Sequence, residues 1–203
     1  MMTLKEFGEK LEELNQAYSA LKRKYKKPKT GEIIEVAGMK WKVLDKLEEG
    51  YLVIADEFYG KDREFDDSCN DWKSSDLRLK LNADLRKKIE DELGKGSLVW
   101  FERDLFSLDG QIEYGKCKDY VSLITVDEYR KYRKLLPNTD EWWWTLTLYS
   151  TSCNDDSRWI AVVSPSGNIN CSISATSVAV FARFVSFPLR SLNLRKMMNN
   201  GRK

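Results

Sequence analysis

The composition of the chain changes abruptly at Trp142. Between Trp142 and Leu194 there is no Lys, Glu, Gln or Met, and Ser, Thr and Asn fill the segment in runs. Aromatic and β-branched clusters separate these polar runs, at 142–144, 159–163 and 178–187. Small neutral side chains with an occasional aromatic residue are typical of antibody paratopes. The segment therefore predicts a rigid apolar scaffold that presents polar loops. The solvent-facing side of an antiparallel sheet is the alternative interpretation, although Lys and Glu are the usual solubilising residues.

The same segment predicts a β-hairpin and a binding face. Ser164-Pro165-Ser166-Gly167 is a turn sequence, so Trp159–Val163 and Asn168–Ile173 are expected to pair as strands. We expect the binding face to lie within residues 149–177, with Trp159 as a further aromatic anchor. The candidate ligand-binding residues are Tyr149, Thr151, Ser152, Asn154, Asp155, Asp156, Arg158, Asn168, Asn170, Ser172, Ser174 and Thr176.

The N-terminal segment, residues 1–29, predicts one amphipathic helix separate from the body at 30–203. Thr3 and Glu6 have capping-box spacing. Apolar residues then recur at alternating intervals of three and four, which is a strict heptad seam. They are Leu4, Phe7, Leu11, Leu14, Tyr18, Leu21 and Tyr25. A coiled coil that makes a homo-oligomer through residues 4–25, a helix that docks on a partner and a helix packed on its own body all remain open.

Charge and special residues exclude several classes of function. The chain has 34 basic and 32 acidic residues, so we expect no nucleic-acid partner and interpret the basic run at 22–29 as a helix C-terminus. There is no His, and the four Cys have no CxxC spacing, so we predict no metal, no cofactor and no catalytic residue. We expect no membrane span, and synthesis in the cytoplasm without a Sec signal.

The body predicts an α+β fold. Its expected strands are 31–36, 39–44, 51–55, which is apolar throughout, and 119–125. Its expected helices start near Asp76, run over 82–93, and follow a second capping box, Thr125 with Glu128, as far as Leu136. Short strands mixed with a few helices favour α+β over a doubly wound sheet.

Several stretches of the body, taken in order, resemble a family. They are 41–44 (WKVL), 70–72 (NDW), 75–78 (SDLR), 81–82 (LN), 104–105 (DL), 109–110 (DG), 121–125 (VSLIT), 127–129 (DEY) and 142–143 (WW). The chain resembles a domain of unknown function from gut bacteria and their phages. In that family a WWLRT-like motif precedes an Asn/Ser-rich stretch with a central turn, and a GVRPA motif follows. Ser166-Gly167 matches the turn, whereas Trp144-Thr145 and Phe184 depart from the two motifs.

That family is similar to the variable proteins of diversity-generating retroelements. The resemblance implies a C-type-lectin-like fold, related to that of formylglycine-generating enzymes, over roughly residues 31–194. It also implies an origin for the composition, because such retroelements randomise adenines, chiefly in AAY codons. NNY codons cannot encode Lys, Glu, Gln, Met or Trp. The first four are the residue types missing from 142–194, and the Trp residues then belong to a fixed scaffold.

The resemblance implies a non-enzymatic protein that recognises a receptor through a diversified C-terminal face. A protein ligand is expected rather than a glycan, because the sugar-binding motifs of calcium-dependent lectins are absent. The tail of a phage particle is a location that the resemblance implies for such a protein. One alternative is a fixed structural or interaction module of a virion or cytosolic complex. Another is an oxidase of the formylglycine-generating type, in which Cys153 and Cys171 serve as the copper-binding pair.

Overall fold

Three antiparallel sheets and a few helices build the fold. The computed structural model describes residues 3–24, 28–48, 50–59, 64–177 and 184–189. The helices are α1 (Leu4–Lys24), α2 (Asp76–Lys80), a π-helical segment (Leu81–Leu85), α3 (Arg86–Leu93) and α4 (Val126–Tyr132). The strands are β1 (Ile33–Val36), β2 (Met39–Lys46), β3 (Tyr51–Ala55), β4 (Phe101–Asp104), β5 (Lys116–Asp119), β6 (Val121–Leu123), β7 (Trp143–Leu148), β8 (Trp159–Val163), β9 (Ile169–Ser174) and β10 (Phe184–Leu189). The chain is therefore α+β, as predicted.

The largest sheet has five strands in the order β1-β2-β3-β10-β6. Ala37 and Gly38 join β1 to β2 with φ angles of 57° and 68°, as a tight hairpin turn requires. The next strand, β3, is buried at all five positions, which confirms the prediction from its apolar run. The C-terminal strand β10 pairs with β3 on one side and β6 on the other. The rest of the apolar cluster at 178–187, and the family motif position at 182–183, lie outside the described residues.

The helical stretch 76–93 is continuous, whereas the sequence predicted two helices. A π-helical segment joins α2 to α3, and Asn82 within it bonds the neighbouring strand. Its amide donates to the carbonyl of Val121 at 2.9 Å, and its side-chain oxygen accepts the backbone N–H of Tyr120 at 2.9 Å. Insertion of a π-turn is a common way to re-aim helical side chains, and here it lets Asn82 hold the helix against β6.

The strand predicted over 119–125 is confirmed only at its centre, as β6, which spans Val121–Leu123 and pairs with β10. Asp119 is the last residue of a different strand, β5, which pairs with β4. The Asn82 oxygen accepts the N–H groups of both Tyr120 and Val121, so the backbone there bonds to a helix side chain where the two strands separate. The capping box of Thr125 and Glu128 is confirmed at the start of α4.

The third sheet, β7-β8-β9, is covered by apolar clusters on both faces. Trp144 and Val162 belong to the larger cluster, and Trp143 and Val163 belong to the smaller one. The predicted hairpin of β8 and β9 is confirmed, with Val163 opposite Ile169. The register shifts by one residue opposite Ala161, so β9 contains a bulge.

The helix α1 exposes its apolar seam. Leu4, Phe7, Leu11 and Leu14 are 92, 52, 48 and 66% exposed. Thr3 and Glu6 form the predicted capping box, with the Thr3 N–H donating to the Glu6 carboxylate at 2.7 Å. Among the described elements, α1 makes no substantial packing interface with the body. Residues 25–27, with the last seam position and part of the basic run, lie outside the described residues.

No helix in the described ranges combines the length and the apolar character that crossing a bilayer requires.

Candidate ligand-binding face

The loop from 149 to 158 lies at one end of the third sheet, where it joins β7 to β8. The chain returns to the same end after β9, because Ser174 pairs with Trp159 and the Ala175 N–H donates to the Arg158 carbonyl at 2.8 Å. Two earlier segments meet the loop there, 64–72 and the 104–115 connection between β4 and β5. We call this region, residues 64–72, 104–115, 149–158 and 174–177, the loop end.

The structure brings most of the predicted contact residues together at the loop end. Those in the first loop are Tyr149, Ser152, Asn154, Asp155, Asp156 and Arg158, and those after β9 are Ser174 and Thr176. The side chain of Tyr149 is 45% exposed, and Trp159 is half-buried. An aromatic ring and a set of small polar groups are thus open to solvent in one place.

Three predicted residues lie away from that cluster. Asn168 belongs to the turn between β8 and β9, at the opposite end of the sheet and roughly 15 Å away by the rise of a five-residue strand. Asn170 and Ser172 lie on β9 between the two ends. The loop end and the 164–168 turn therefore cannot both be the centre of one small contact, and the loop end holds the larger share.

Thr151 is completely buried, so its side chain is not open to a ligand. Its carbonyl accepts the N–H of Asn154 at 3.1 Å and that of Asp156 at 3.2 Å, which forms the turn of the loop. The hydroxyl of Thr151 and one carboxylate oxygen of Asp156 are buried without a hydrogen-bond partner. We interpret Thr151 as a residue that shapes the loop and leave it out of the candidate face.

Asn70 ties the loop to the body through its main chain. Its amide donates to the carbonyl of Ser150 at 2.9 Å and to that of Trp159 at 3.1 Å, and its own N–H donates to the Ser157 carbonyl at 2.7 Å. Asn70 is fully buried. Asn70 therefore fixes both ends of the loop through hydrogen bonds to backbone carbonyls.

The 104–115 connection supports the loop in the same way. The Ser152 N–H donates to the Tyr114 hydroxyl at 3.3 Å, and the Cys153 N–H donates to the Glu113 carboxylate at 3.2 Å. The Leu108 N–H donates to the Leu148 carbonyl at 3.0 Å. In each of these three bonds, the atom contributed by the 142–194 segment is a backbone atom.

Asp109 bonds loop side chains as well, and Glu113 does so through the Cys153 thiol. Asp109 accepts from the hydroxyl of Ser107, from the hydroxyl of Ser150 at 2.6 Å and from the amide of Asn154 at 2.9 Å. These donors, Ser107 foremost, lower the pKa of Asp109 to about 2. Asp109 is therefore charged at neutral pH, and its carboxylate stabilises the loop through the hydrogen bonds from Ser150 and Asn154.

The supporting residues Asn70, Asp109, Glu113 and Tyr114 were not predicted as part of the site. A signal for two of them was present, since Asn70 and Asp109 lie in stretches that carry the family resemblance. The burial of Phe65, Asp66 and Asn70 depends on contacts that only the folded chain reveals.

The thiols and carboxylates offer little for metal chemistry. Across the described ranges, no three His, Cys, Asp or Glu side chains are grouped closely enough to hold a metal ion. All four Cys are free thiols. The hydrogen bond to Glu113 raises the pKa of Cys153, and burial raises the pKa of Cys171. Both thiols are therefore protonated at neutral pH when no metal is bound.

Concave surface is found elsewhere. Two adjoining concavities of about 340 Å³ each share Asn82, Ala83 and Arg86 of the π-helical segment and α3. None of the predicted contact residues lines either one.

Comparison of the chain with protein-family models, curated proteins and solved structures found no match.

Proposed function

We propose that the chain is a non-enzymatic ligand-binding protein that displays a diversified face at the loop end. The observation that carries this proposal is the way the 149–158 loop is supported. Asn70, Glu113 and Tyr114 bond its backbone at Ser150, Ser152, Cys153, Ser157 and Trp159. Most side chains of the loop can then change while its conformation is kept.

The placement of polar and apolar positions supports the same proposal. Within 142–163, the apolar positions of β7 and β8 are buried except Trp159, which is half-buried, whereas Ser152–Asp155 and Arg158 are exposed.

We also propose a C-type-lectin-like arrangement for the body. The support is a small antiparallel sheet, buried on both faces, with long loops collected at one end and the C-terminal strand returned to the main sheet. No observation favours the oxidase alternative. A fixed interaction module shares this architecture, and it differs from the proposal in lacking diversification.

Association through α1 belongs to the proposal. The exposed seam at Leu4, Phe7, Leu11 and Leu14 has the heptad period of a coiled coil. A homo-oligomer would carry several copies of the face, and multivalent attachment can raise the overall affinity by a factor of about 10² to 10⁴ without any new contact. This arrangement suits a virion component that binds a repeated protein receptor.

The DNA around the gene tests diversification directly. We expect a near-repeat of the segment that encodes 142–194, with differences at adenines, close to a reverse-transcriptase gene. The structure adds a finer expectation: codons for Ser152, Asn154 and Asp155 should differ, whereas those for Trp144 and Val162 should not. The codons for 31–141 are the internal control and should have no near-repeat. If there is no repeat, or if its differences fall on buried positions, active diversification is refuted and the fixed module becomes the better account.

A further inference from the structure

Exposed apolar side chains gather at the loop end. Twelve large apolar residues are exposed in the described part of the chain, four of them on α1. Four others are Phe106, Leu108, Ile112 and Tyr149, which are 48, 40, 64 and 45% exposed. We call these four the apolar tip. The remaining four are scattered over the body, which is normal for a protein surface. The tip is therefore a local concentration that calls for a partner.

The apolar tip is held in a defined shape. Leu105 and Ser107 are buried, so the alternating Phe106 and Leu108 both face solvent from the same side of their segment. The Ser107 N–H donates to the Gln111 carbonyl at 3.1 Å, which closes the turn that leads to Ile112. A rigid apolar surface loses little conformational entropy when it is covered.

Tyr149 adjoins the rest of the tip. The Leu108 N–H bonds the carbonyl of Leu148, the residue before Tyr149. Phe106, Leu108 and Ile112 precede Trp142 and so belong to the constant part of the chain, whereas Tyr149 lies in the proposed variable segment. The apolar tip therefore combines three side chains from the constant part of the chain with Tyr149 from the proposed variable segment.

The surroundings of the tip are acidic. The segments 64–72, 104–115 and 149–158 contain nine Asp and Glu residues and one basic residue, Arg158. Two lysines that flank the segments also lie here: Lys116 bridges Asp104 at 3.0 Å, and the Lys73 ammonium lies beside Gly115. The bonds of Asn70, Tyr114 and Asp109 bring these three segments into one region. The whole chain has a formal charge of +2, so the acidity is local. An apolar centre with a polar rim is the usual plan of a protein–protein interface.

We propose that the loop end binds a basic protein surface whose apolar centre covers Phe106, Leu108 and Ile112. This inference rests on the proposed function and adds the chemistry of the ligand. The constant tip supplies an anchor common to all variants, and the side chains of 149–158 select among basic partners. Carboxylates at the rim accelerate association with a cationic partner and oppose acidic proteins.

Selection from a random peptide library tests the inference. The immobilised full-length protein should enrich peptides that combine Lys or Arg with aromatic or aliphatic residues. A synthetic peptide from that pool is then measured by surface plasmon resonance against variants. We expect the triple variant Glu64→Gln/Asp67→Asn/Asp155→Asn to slow association about tenfold at low salt, and Phe106→Ser/Ile112→Ser to weaken affinity about tenfold.

Matched controls lie elsewhere on the surface. Asp84→Asn/Asp127→Asn/Asp140→Asn changes the same number of exposed carboxylates, and Leu79→Ser changes an apolar residue that is 57% exposed on α2. Neither should alter binding. Because every substituted position is exposed, circular dichroism should show a wild-type fold in each case.

The outcomes separate the inference from the function on which it rests. If the selected peptides lose binding in the tip variant but carry no excess of Lys or Arg, the basic-ligand inference is overturned and the binding face stands. If selection yields no peptide, or peptides that bind every variant equally, the binding face fails and the inference fails with it.

Discussion

Replacement of Asn70 tests whether the body holds the 149–158 loop by its backbone. Asn70→Ala removes two donated bonds to buried carbonyls, those of Ser150 and Trp159. The Trp159 carbonyl keeps a bond from the Tyr149 N–H at 3.0 Å, whereas the Ser150 carbonyl loses its contact with the body. A lost buried hydrogen bond costs about 1 kcal/mol, and a buried group left unpaired costs about 1 to 3 kcal/mol. We expect a loss of about 2 to 4 kcal/mol in the free energy of unfolding.

Thermal melting and hydrogen exchange measure this effect. For a chain of this size the loss corresponds to a decrease in Tm of roughly 5 to 15 °C. The amides of Ser152 and Cys153, which bond Tyr114 and Glu113, should exchange faster because the loop is released. Asn70→Asp should be worse than Asn70→Ala, since it sets a carboxylate oxygen against two carbonyl oxygens.

A matched variant at the other end of the sheet provides the control. The Asn168 amide bonds only the neighbouring Ser166 hydroxyl among the described groups, so Asn168→Ala should lower Tm by no more than about 2 °C. The reasoning is refuted if Asn70→Ala melts within 2 °C of the wild type and the amides of Ser152 and Cys153 stay protected.

Two further predictions concern pH and assembly. The pKa of Asp109 in the folded state, about 2, is lower than the value of about 3.9 in an unfolded chain, so its contribution to stability is present above about pH 4 and is lost as the pH falls toward 2. The Tm difference between wild type and Asp109→Asn should therefore shrink over that interval, and a constant difference would contradict the assignment. For assembly, light scattering should give a multiple of 23.7 kDa for the wild type and 23.7 kDa for Leu11→Glu/Leu14→Glu. Gln16→Glu, off the seam, should stay oligomeric, and a monomeric wild type would disprove the coiled coil.

Local chemistry made much of the fold predictable. The capping boxes at Thr3 and Thr125, the Ala37-Gly38 turn and the buried run of β3 all depend on residues close together in sequence, and the structure has each of them. The division of 119–125 into two strands depends on Asn82, about forty residues earlier, and no local pattern contains that bond.

The position of the loops could be predicted from the sequence, whereas the hydrogen bonds that support them could not. The composition of 142–194 indicated the loops, because small polar residues without Lys or Glu stand out against the rest of the chain. Burial of Thr151 and the distance of Asn168 follow from how the third sheet packs. The bonds from Asn70 and Asp109 join segments 40 to 90 residues apart, which spacing in the sequence cannot indicate.

The position of β10 has a consequence for how faulty gene products are removed. This strand follows the proposed variable segment in the chain, yet it lies between β3 and β6 in the main sheet. A chain that is truncated or shifted out of frame anywhere in 142–177 lacks β10. The main sheet is then split, and the edges of β3 and β6 that β10 pairs with are left open. Such a chain is expected to be degraded or to aggregate. Under the proposed diversification, only variants that are read in frame as far as β10 can complete the main sheet.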